Sequence, residues 1–411
     1  MIEAAAIREM NARVTGRHDA DPLGLVLTGG GARAAYQVGV LTWLSKRYPE
    51  LRVPVITGVS AGAINAAHLA SNPGTFRESV EELRALWAGL SPEQIFRVDA
   101  TSLMGNVSRW GLRLISGGSR AAPQVQGLVD TTPLREFLER ALHSEHGELP
   151  GIVKNLRRGT LKAVGISTTS YSSGNSVVWI QGDARPWQRP QRQSVLSPLG
   201  IDHIMASAAL PVFFPAVRIG SEWYGDGGVR LAAPLSPAVH LGARRLLAVS
   251  TRRFRDSASA SSRDQRGYPV PAQVIGVLMN SIFLDLIDQD GLRLERFNQL
   301  IERLPEENRM GLEVVKLLVV RPLRDLGQLA RQYEPHLPRV LRFLTRGLGT
   351  RQTRSSDMLS MLMFQAEYLN DLMEIGEADA DARAEEIAAF IEPVLEPVAP
   401  RVTHPEWAEA G

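Results

Sequence analysis

The chain contains no cysteine. That excludes disulfides, thiolate metal sites and a cysteine nucleophile, and leaves the compartment open. Lysine is scarce as well: only four of the 46 basic residues are lysine, at positions 46, 154, 162 and 316. The arginine skew reads as a compositional habit. With a net charge of only +2, no nucleic acid or other strong polyanion is expected as a partner. No apolar run approaches the roughly 20 residues needed to cross a bilayer. The opening stretch MIEAAAIREMNARVTGRHD is charged throughout and lacks the apolar region of a signal peptide. A soluble, cytoplasmic protein is therefore expected.

What is present suits a globular protein. Hydrophobic residues make up 44% and charged residues 22%, and 411 residues can bury a large core, with a length that allows two or three domains. Leu23–Leu27 and Val53–Thr57 read as buried strands, each followed by a glycine-broken turn and a helix, at 32–47 and 61–70. This order implies a parallel sheet with the site at the strands' carboxyl ends. Further helices are expected at 76–87, 132–142, 201–209, 274–304, 338–348 and 358–375. Strands are expected at 161–168, 176–181, 217–220, 221–224, 245–251 and 313–320. Residues 98–126 are apolar but broken by Gly105, Gly111, Gly117 and Gly118, which fits either a lid or membrane-contacting flap or an irregular core helix. Residues 257–267 read as a polar loop and the final stretch as an acidic helix with a frayed tail.

Two glycine-marked turns carry the chemistry. Gly58-Val59-Ser60-Ala61-Gly62 matches GxSxG, with an apolar strand before it and a small-residue helix after it. Such a turn lifts the serine as an exposed nucleophile. Side chains at Gly58 or Gly62 would collide where strand and helix fold together. The helix N-terminus favours negative charge at Ser60; a tightly packed turn with a capping serine is the plainer alternative. Gly29-Gly30-Gly31 lacks the Lys-Ser/Thr of a phosphate-binding Walker loop, and the next strand ends without the acidic residue of a dinucleotide site. An oxyanion hole made of backbone N–H groups is the reading that remains, with Arg33 anchoring the loop, a phosphate head group or an ordinary ion pair.

Ser60 then needs a base. None of His18, His68, His143, His146, His203, His240, His336 and His404 sits in an evident loop after a late strand. His203 reads as a helix residue and His68 as a packing or surface residue. Asp226, in Tyr224-Gly225-Asp226-Gly227-Gly228, is the other candidate. Alone, its Asp-Gly pair reads as a turn; as a base, it would need desolvation to lift it from an ordinary pKa near 3.9.

Together these stretches resemble the patatin-like phospholipases, which pair a glycine-rich oxyanion loop and a GxSxG serine with a late Asp-Gly-Gly. The matching residues are Gly29, Gly30, Gly31 and Arg33, then Gly58, Ser60 and Gly62, then Asp226, Gly227 and Gly228. ASAALP at 206–211 before Phe213-Phe214-Pro215, LVDTTPL at 128–134 and the stretch at 359–382 are similar too. Where the family loop often carries glycine, this chain has Ala34; a positive φ there would cost about 1–2 kcal/mol.

The resemblance implies a three-layer α/β/α fold with a central, mostly parallel sheet and a helical C-terminal part. It divides the chain into an N-terminal extension (1–21), a catalytic domain (22–256), a helical continuation of the same unit (257–382) and an acidic tail (383–411). It implies a Ser60–Asp226 dyad that cleaves fatty-acyl esters through an acyl-serine, with Gly29, Gly30 and Gly31 as oxyanion hole and with neither metal nor cofactor. A phospholipid or another fatty-acyl ester would be the substrate, and membrane contact would be peripheral. Candidate contact regions are 103–115, Phe213-Phe214 and the arginines 321, 324, 331, 339, 342, 346, 351 and 354, which read equally as a solvated helical face. Two alternatives stay open: a soluble carboxylesterase or acyl transferase on the same dyad, and a non-catalytic lipid-binding scaffold.

Overall fold

A computed structural model describes residues 21–97, 127–253, 286–337 and 357–395, together with Gly105, Ser108, Val274 and Arg342 singly. The N-terminal extension, the apolar segment at 103–115, the loop at 257–267, the helix expected at 338–348 and the end of the tail lie outside the described residues, as do Arg339, Arg346, Arg351 and Arg354.

Strands β1 (Leu23–Leu27) and β2 (Val55–Val59) are buried at every position, as strands covered on both faces must be. They pair in parallel, Gly24 opposite Val55 and Leu27 opposite Gly58. Around them lie β3 (Ala163–Ser170), β4 (Ser176–Gly182), β5 (Gln188–Arg189), β6 (Arg192–Leu196), β7 (Val217–Ile219), β8 (Glu222–Asp226), β9 (Arg245–Val249) and β10 (Lys316–Val320). The main path runs β10-β9-β1-β2-β3-β4-β6-β5, with the β7–β8 hairpin joined antiparallel to the end of β3. From β10 to β3 every pairing is parallel.

Helices cover both faces. Leu25 and Leu27 point into a core shared with α1 (Ala35–Arg47), α2 (Ala61–Ser71) and α3 (Phe76–Ala88), while Val26 points into a second core beneath the sheet. The first side also holds α4 (Thr132–Ala141), α5 (Pro150–Arg158) and α6 (Ile201–Ser207). The second holds α7 (Ser236–His240) and α8 (Leu286–Arg303). The fold is thus a three-layer α/β/α arrangement on a mixed, mostly parallel sheet.

The C-terminal part packs on the first side. It comprises α9 (Leu326–Tyr333), α10 (Asp357–Leu362), α11 (Ala366–Asp381) and α12 (Ala384–Leu395). Helix α11 lies along α1, where Trp43 Nε1 donates to Asp381 Oδ1 at 3.0 Å and Lys46 pairs with Glu377 at 2.6 Å.

The sequence expectation departs from the structure at several elements. The single helix expected at 358–375 is broken at Met363–Gln365, so that Met363 and Phe364 turn into the core and Phe364 packs edge-on to Phe96 at 6.3 Å. Tertiary packing there outweighs the helical periodicity. Helix α5 and the short strands β5 and β6 were not anticipated; β5 is exposed and β6 largely polar, so neither presents an apolar pattern. No helix among the described residues is long and apolar enough to cross a membrane.

Candidate active site

Ser60 sits between β2 and α2, where the chain reverses in one residue. Its φ of 56° and ψ of −134° lie outside the regions open to ordinary side chains, a conformation that costs on the order of 1–3 kcal/mol. The flanking glycines make the reversal sterically feasible. A Cβ on Gly58 would stand 2.6 Å from Gly62 O, and one on Gly62 would stand 2.4 Å from the carbonyl oxygens of both Leu27 and Thr28. Gly62 therefore holds the turn against the end of β1, bringing Ser60 beside the glycine loop. A Cβ on Gly29 would lie 3.6 Å from Ser60 Oγ.

The glycine loop is fixed from outside. Gly29 O accepts from Thr251 Oγ1 at 2.6 Å, so in the planar trans peptide the Gly30 N–H points the opposite way. Gly31, at φ 58°, lies so close to Met361 that a Cβ there would meet the Met361 carbonyl oxygen at 2.2 Å. No hydrogen bond among the described residues takes up the N–H groups of Gly29, Gly30 or Gly31. Beyond them the chain enters a short 3-10 turn, Gly31–Ala34. Ala34 has φ −65°, so the alanine in this position carries no strain.

Of the roles considered for Arg33, the structure selects the ion pair that anchors the loop. Its side chain is buried, with Nε donating to Ser360 Oγ at 2.7 Å and Nη2 to Asp357 Oδ1 at 2.5 Å. Occupied this way, it does not face out toward a lipid head group.

Asp226 closes the other side. It ends β8, opposite Thr168 of β3, with its N–H bonded to Ala209 O at 3.1 Å and its carbonyl accepting from Thr169 Oγ1 at 2.8 Å. It is thus a strand-end residue; the hairpin turn lies earlier, at Gly220-Ser221. The carboxyl group is fully buried. Oδ1 accepts the Gly228 N–H at 2.8 Å, and Oδ2 completes no hydrogen bond. Burial pushes the Asp226 pKa up to about 7, opposed by the Ser60 hydroxyl and the Gly228 N–H, both of which favour the charged form. Ser60 thus acts on the carboxylate charge while standing outside the strict hydrogen-bond geometry that Gly228 meets. Gly227 lies against Ser167, where a Cβ would stand 2.2 Å from the carbonyl oxygen.

Several supporting residues carried no assigned role in the sequence. Ser207 is fully buried; its Oγ accepts the Ser60 N–H at 3.0 Å and donates to Ser167 O at 2.6 Å, tying the serine turn to β3. It belongs to the ASAALP stretch at 206–211, so a signal was present without a function attached. Ser360 and Met361 likewise lie in the family-like stretch at 359–382 without an assigned role, whereas Thr251 and Asp357 carried no functional signal. The two motif-like stretches at 128–134 and 206–215 meet each other, Leu128 N donating to Val212 O at 3.1 Å and Val129 N to Phe213 O at 3.0 Å. Among the described residues, no histidine is hydrogen-bonded to Ser60. His203 lies in α6, with Nδ1 accepting the Gly200 N–H, and His68 packs with Nε2 on Ser79 O at 3.0 Å. Burial lowers the pKa of both rings.

A cavity opens beside Ser60. Its walls are almost wholly apolar: Ile64 of α2, Leu83 and Trp87 of α3, Leu134 and Leu138 of α4, and Phe214, Met361 and Phe364. No group of three or more His, Asp or Glu among the described residues is placed to hold a metal ion. Of the arginines considered for lipid contact, Arg321 pairs with Asp288 at 2.5 Å.

A serine on a strained strand-to-helix turn, a glycine loop beside it and a buried aspartate opposite coincide with a family match. The model for the patatin-like phospholipases matches residues 25–239. The chain belongs to that family. The matched span runs from β1 to α7 and takes in the glycine loop, Ser60 and Asp226, whereas α10 and its contacts with the loop lie beyond it. No curated protein sequence matches the chain. Among solved structures, human GIVD cytosolic phospholipase A2 in complex with methyl gamma-linolenyl fluorophosphonate aligns at 13% identity and a TM-score of 0.44, over 92% of this chain and 60% of that one. VipD from Legionella pneumophila aligns at 16% identity and a TM-score of 0.34, over 73% and 61%. Full-length ExoU from Pseudomonas aeruginosa, in its complex with SpcU, aligns at 22% identity and a TM-score of 0.20, over 38% and 34%. The patatin-like chain thus spans about 60% of the length of the first two of these structures.

Proposed function

We propose that this chain is a serine lipid acyl hydrolase, of the phospholipase A or lysophospholipase kind, acting through a Ser60–Asp226 dyad. The observation that carries the reading is the pairing of a strained, glycine-flanked Ser60 with the fully buried carboxyl of Asp226 at the end of an apolar cavity. A carboxyl lifted to about 7 is a far better proton acceptor at neutral pH than an ordinary aspartate.

In the reaction, the Asp226 carboxylate takes the proton from Ser60 Oγ as that oxygen attacks the ester carbonyl carbon. The carbonyl oxygen becomes an oxyanion, received by the unpaired N–H groups of Gly29 to Gly31 and favoured by the N-terminus of α2. The tetrahedral centre expels the alcohol, which leaves with the proton from Asp226, and the acyl group stays on Ser60. Water then gives its proton to Asp226 and attacks the acyl-serine; collapse returns a proton to Ser60 and releases the fatty acid. Arg33 acts by holding the loop, and no step draws on a metal or cofactor. The apolar cavity supports a fatty-acyl chain as the acyl group.

The test is fatty-acid release from mixed phospholipid vesicles by wild type, Ser60→Ala and Asp226→Asn, with folding checked by circular dichroism. The expected outcome is activity in wild type and a loss of at least about 10³-fold in each variant. Cleavage of short soluble esters with no response to vesicles would replace the lipase with a carboxylesterase. Vesicle binding with no cleavage by any of the three proteins would replace it with a lipid-binding scaffold.

A further inference from the structure

The cavity beside Ser60 has a direction. Ser60 at the N-terminal end of α2 lines it, as do Ile64 and His68, four residues apart on one face of that helix. Eight residues at about 1.5 Å each put His68 about 12 Å from the serine end of the helix. The facing walls come from α3 and the turn after it, Leu83 to Leu90, and from α4 and its C-terminal end, Leu134 to Leu142. The long axis of the cavity therefore follows α2 away from the nucleophile.

Polar side chains mark the two ends. Among the described lining residues, Ser60 and His68 are the polar ones, apart from Trp87, whose indole N–H is taken up by Asn65 Oδ1 at 2.8 Å. His68 is only 2% exposed, and its ring is pinned through Nε2 to Ser79 O. Burial favours the neutral ring, with Glu82 working in the opposite direction and His143 in the same direction as burial. A fixed, neutral imidazole at the end of an apolar channel acts as a stop: a methyl terminus reaching it gains less than it would against leucine, and a longer chain meets the ring.

We propose that His68 is the specificity-determining residue that ends the acyl channel, so that the protein selects acyl chains of medium length. An extended hydrocarbon advances about 1.25 Å per carbon, from a C–C bond of about 1.5 Å and near-tetrahedral angles. A channel of about 12 Å then holds about ten carbons beyond the serine. This inference rests on the acyl-hydrolase reading and names the class of acyl group that the same site takes.

The experiment compares p-nitrophenyl esters with acyl chains shorter than, near and longer than about ten carbons, at monomeric concentrations. Wild type is expected to show its highest kcat/KM near that length. His68→Ala should shift preference toward longer chains, changing the long-to-medium ratio by about tenfold or more. Ala141→Phe, which fills the far end from α4, should shift it toward shorter chains, and it covers the case in which loss of the Ser79 contact unfolds His68→Ala. In parallel, free fatty acids of the same lengths compete with a fluorescent fatty acid for the Ser60→Ala protein. The same length order and the same shifts are expected when His68→Ala or Ala141→Phe is added. If ester cleavage is abolished by Ser60→Ala but the length profile stays fixed in the folded variants, the channel stop is wrong and the hydrolase reading stands. If cleavage is indifferent to Ser60→Ala, the hydrolase reading falls, and the binding series decides the channel stop by itself.

Discussion

The turns after β1 and β2 are neighbours, yet they are held in opposite ways. The serine turn is built largely from its own pentapeptide: Gly58 and Gly62 permit the reversal, and the Ser207 hydroxyl ties it from afar. The glycine loop has two local ties, Arg33 N donating to Gly30 O at 3.2 Å and Gln37 Nε2 to Thr28 O at 2.7 Å, but its other contacts come from far along the chain. Thr251 fixes its first carbonyl, Met361 packs against Gly31, and the Arg33 guanidinium is bound by Asp357 and Ser360. The turn that carries Ser60 is thus a largely local construction, whereas the glycine loop is held mainly by the far end of the chain. In the family match the first construction lies inside the matched span and much of the second lies outside it.

The comparison can be broken most sharply at Asp357. Asp357→Asn leaves the Arg33 charge buried without its partner, a change expected to cost about 3–5 kcal/mol of stability. Release of the loop should also lower kcat by about 10²–10³, the effect of losing one oxyanion donor. Thermal unfolding and steady-state kinetics read the two losses. Retention of the rate would show that the loop does not need its distant anchor.

Gly62→Ala probes the contact between the two turns. Its Cβ would press on Leu27 O and Thr28 O, so overpacking should cost about 1–3 kcal/mol. Displacing Ser60 from the loop should lower kcat/KM by about 10²-fold. A fall in melting temperature without a fall in rate would mean that the turns are not mechanically joined.

A third expected effect is a response to pH. If Asp226 is the base, kcat/KM should fall about tenfold per pH unit below about 7 and level off above it. Stability moves the other way. Because the folded-state pKa is raised, the folded protein holds a proton between about pH 4 and 7 that the unfolded chain has lost, so stability declines with rising pH across that window and is flat above it. Asp226→Asn should remove that decline, worth on the order of 4 kcal/mol over about three pH units. Parallel pH profiles for wild type and Asp226→Asn would sink the assignment of a raised pKa to this carboxyl.

The same contrast explains what could be read in advance. Strand β1, strand β2 and their helices were legible because apolar runs and glycine breaks are local, and so was the geometry around Ser60. Asp226 was legible only through family resemblance, since Asp-Gly by itself reads as a turn. Ser207, Thr251, Asp357 and Met361 were not assigned roles because each acts on a partner far away in the chain, and no local pattern encodes such a meeting. The break at Met363–Gln365 was missed for a related reason: the apolar periodicity continues through it, while packing of Phe364 on Phe96 decides the backbone. The resemblance left Arg33 with several roles, and only its three-dimensional partners chose among them.

The ion pair between Arg33 and Asp357 joins residues 324 positions apart. During translation at roughly 5–20 residues per second, the ribosome needs about 16–65 s to travel from one to the other. A nascent chain therefore presents the Ser60 turn well before the glycine loop beside it has its anchor. On the proposed dyad mechanism, competence for hydrolysis becomes a late event of biosynthesis, timed by the appearance of α10, and a truncated chain ending before it would carry the serine turn without the anchored loop.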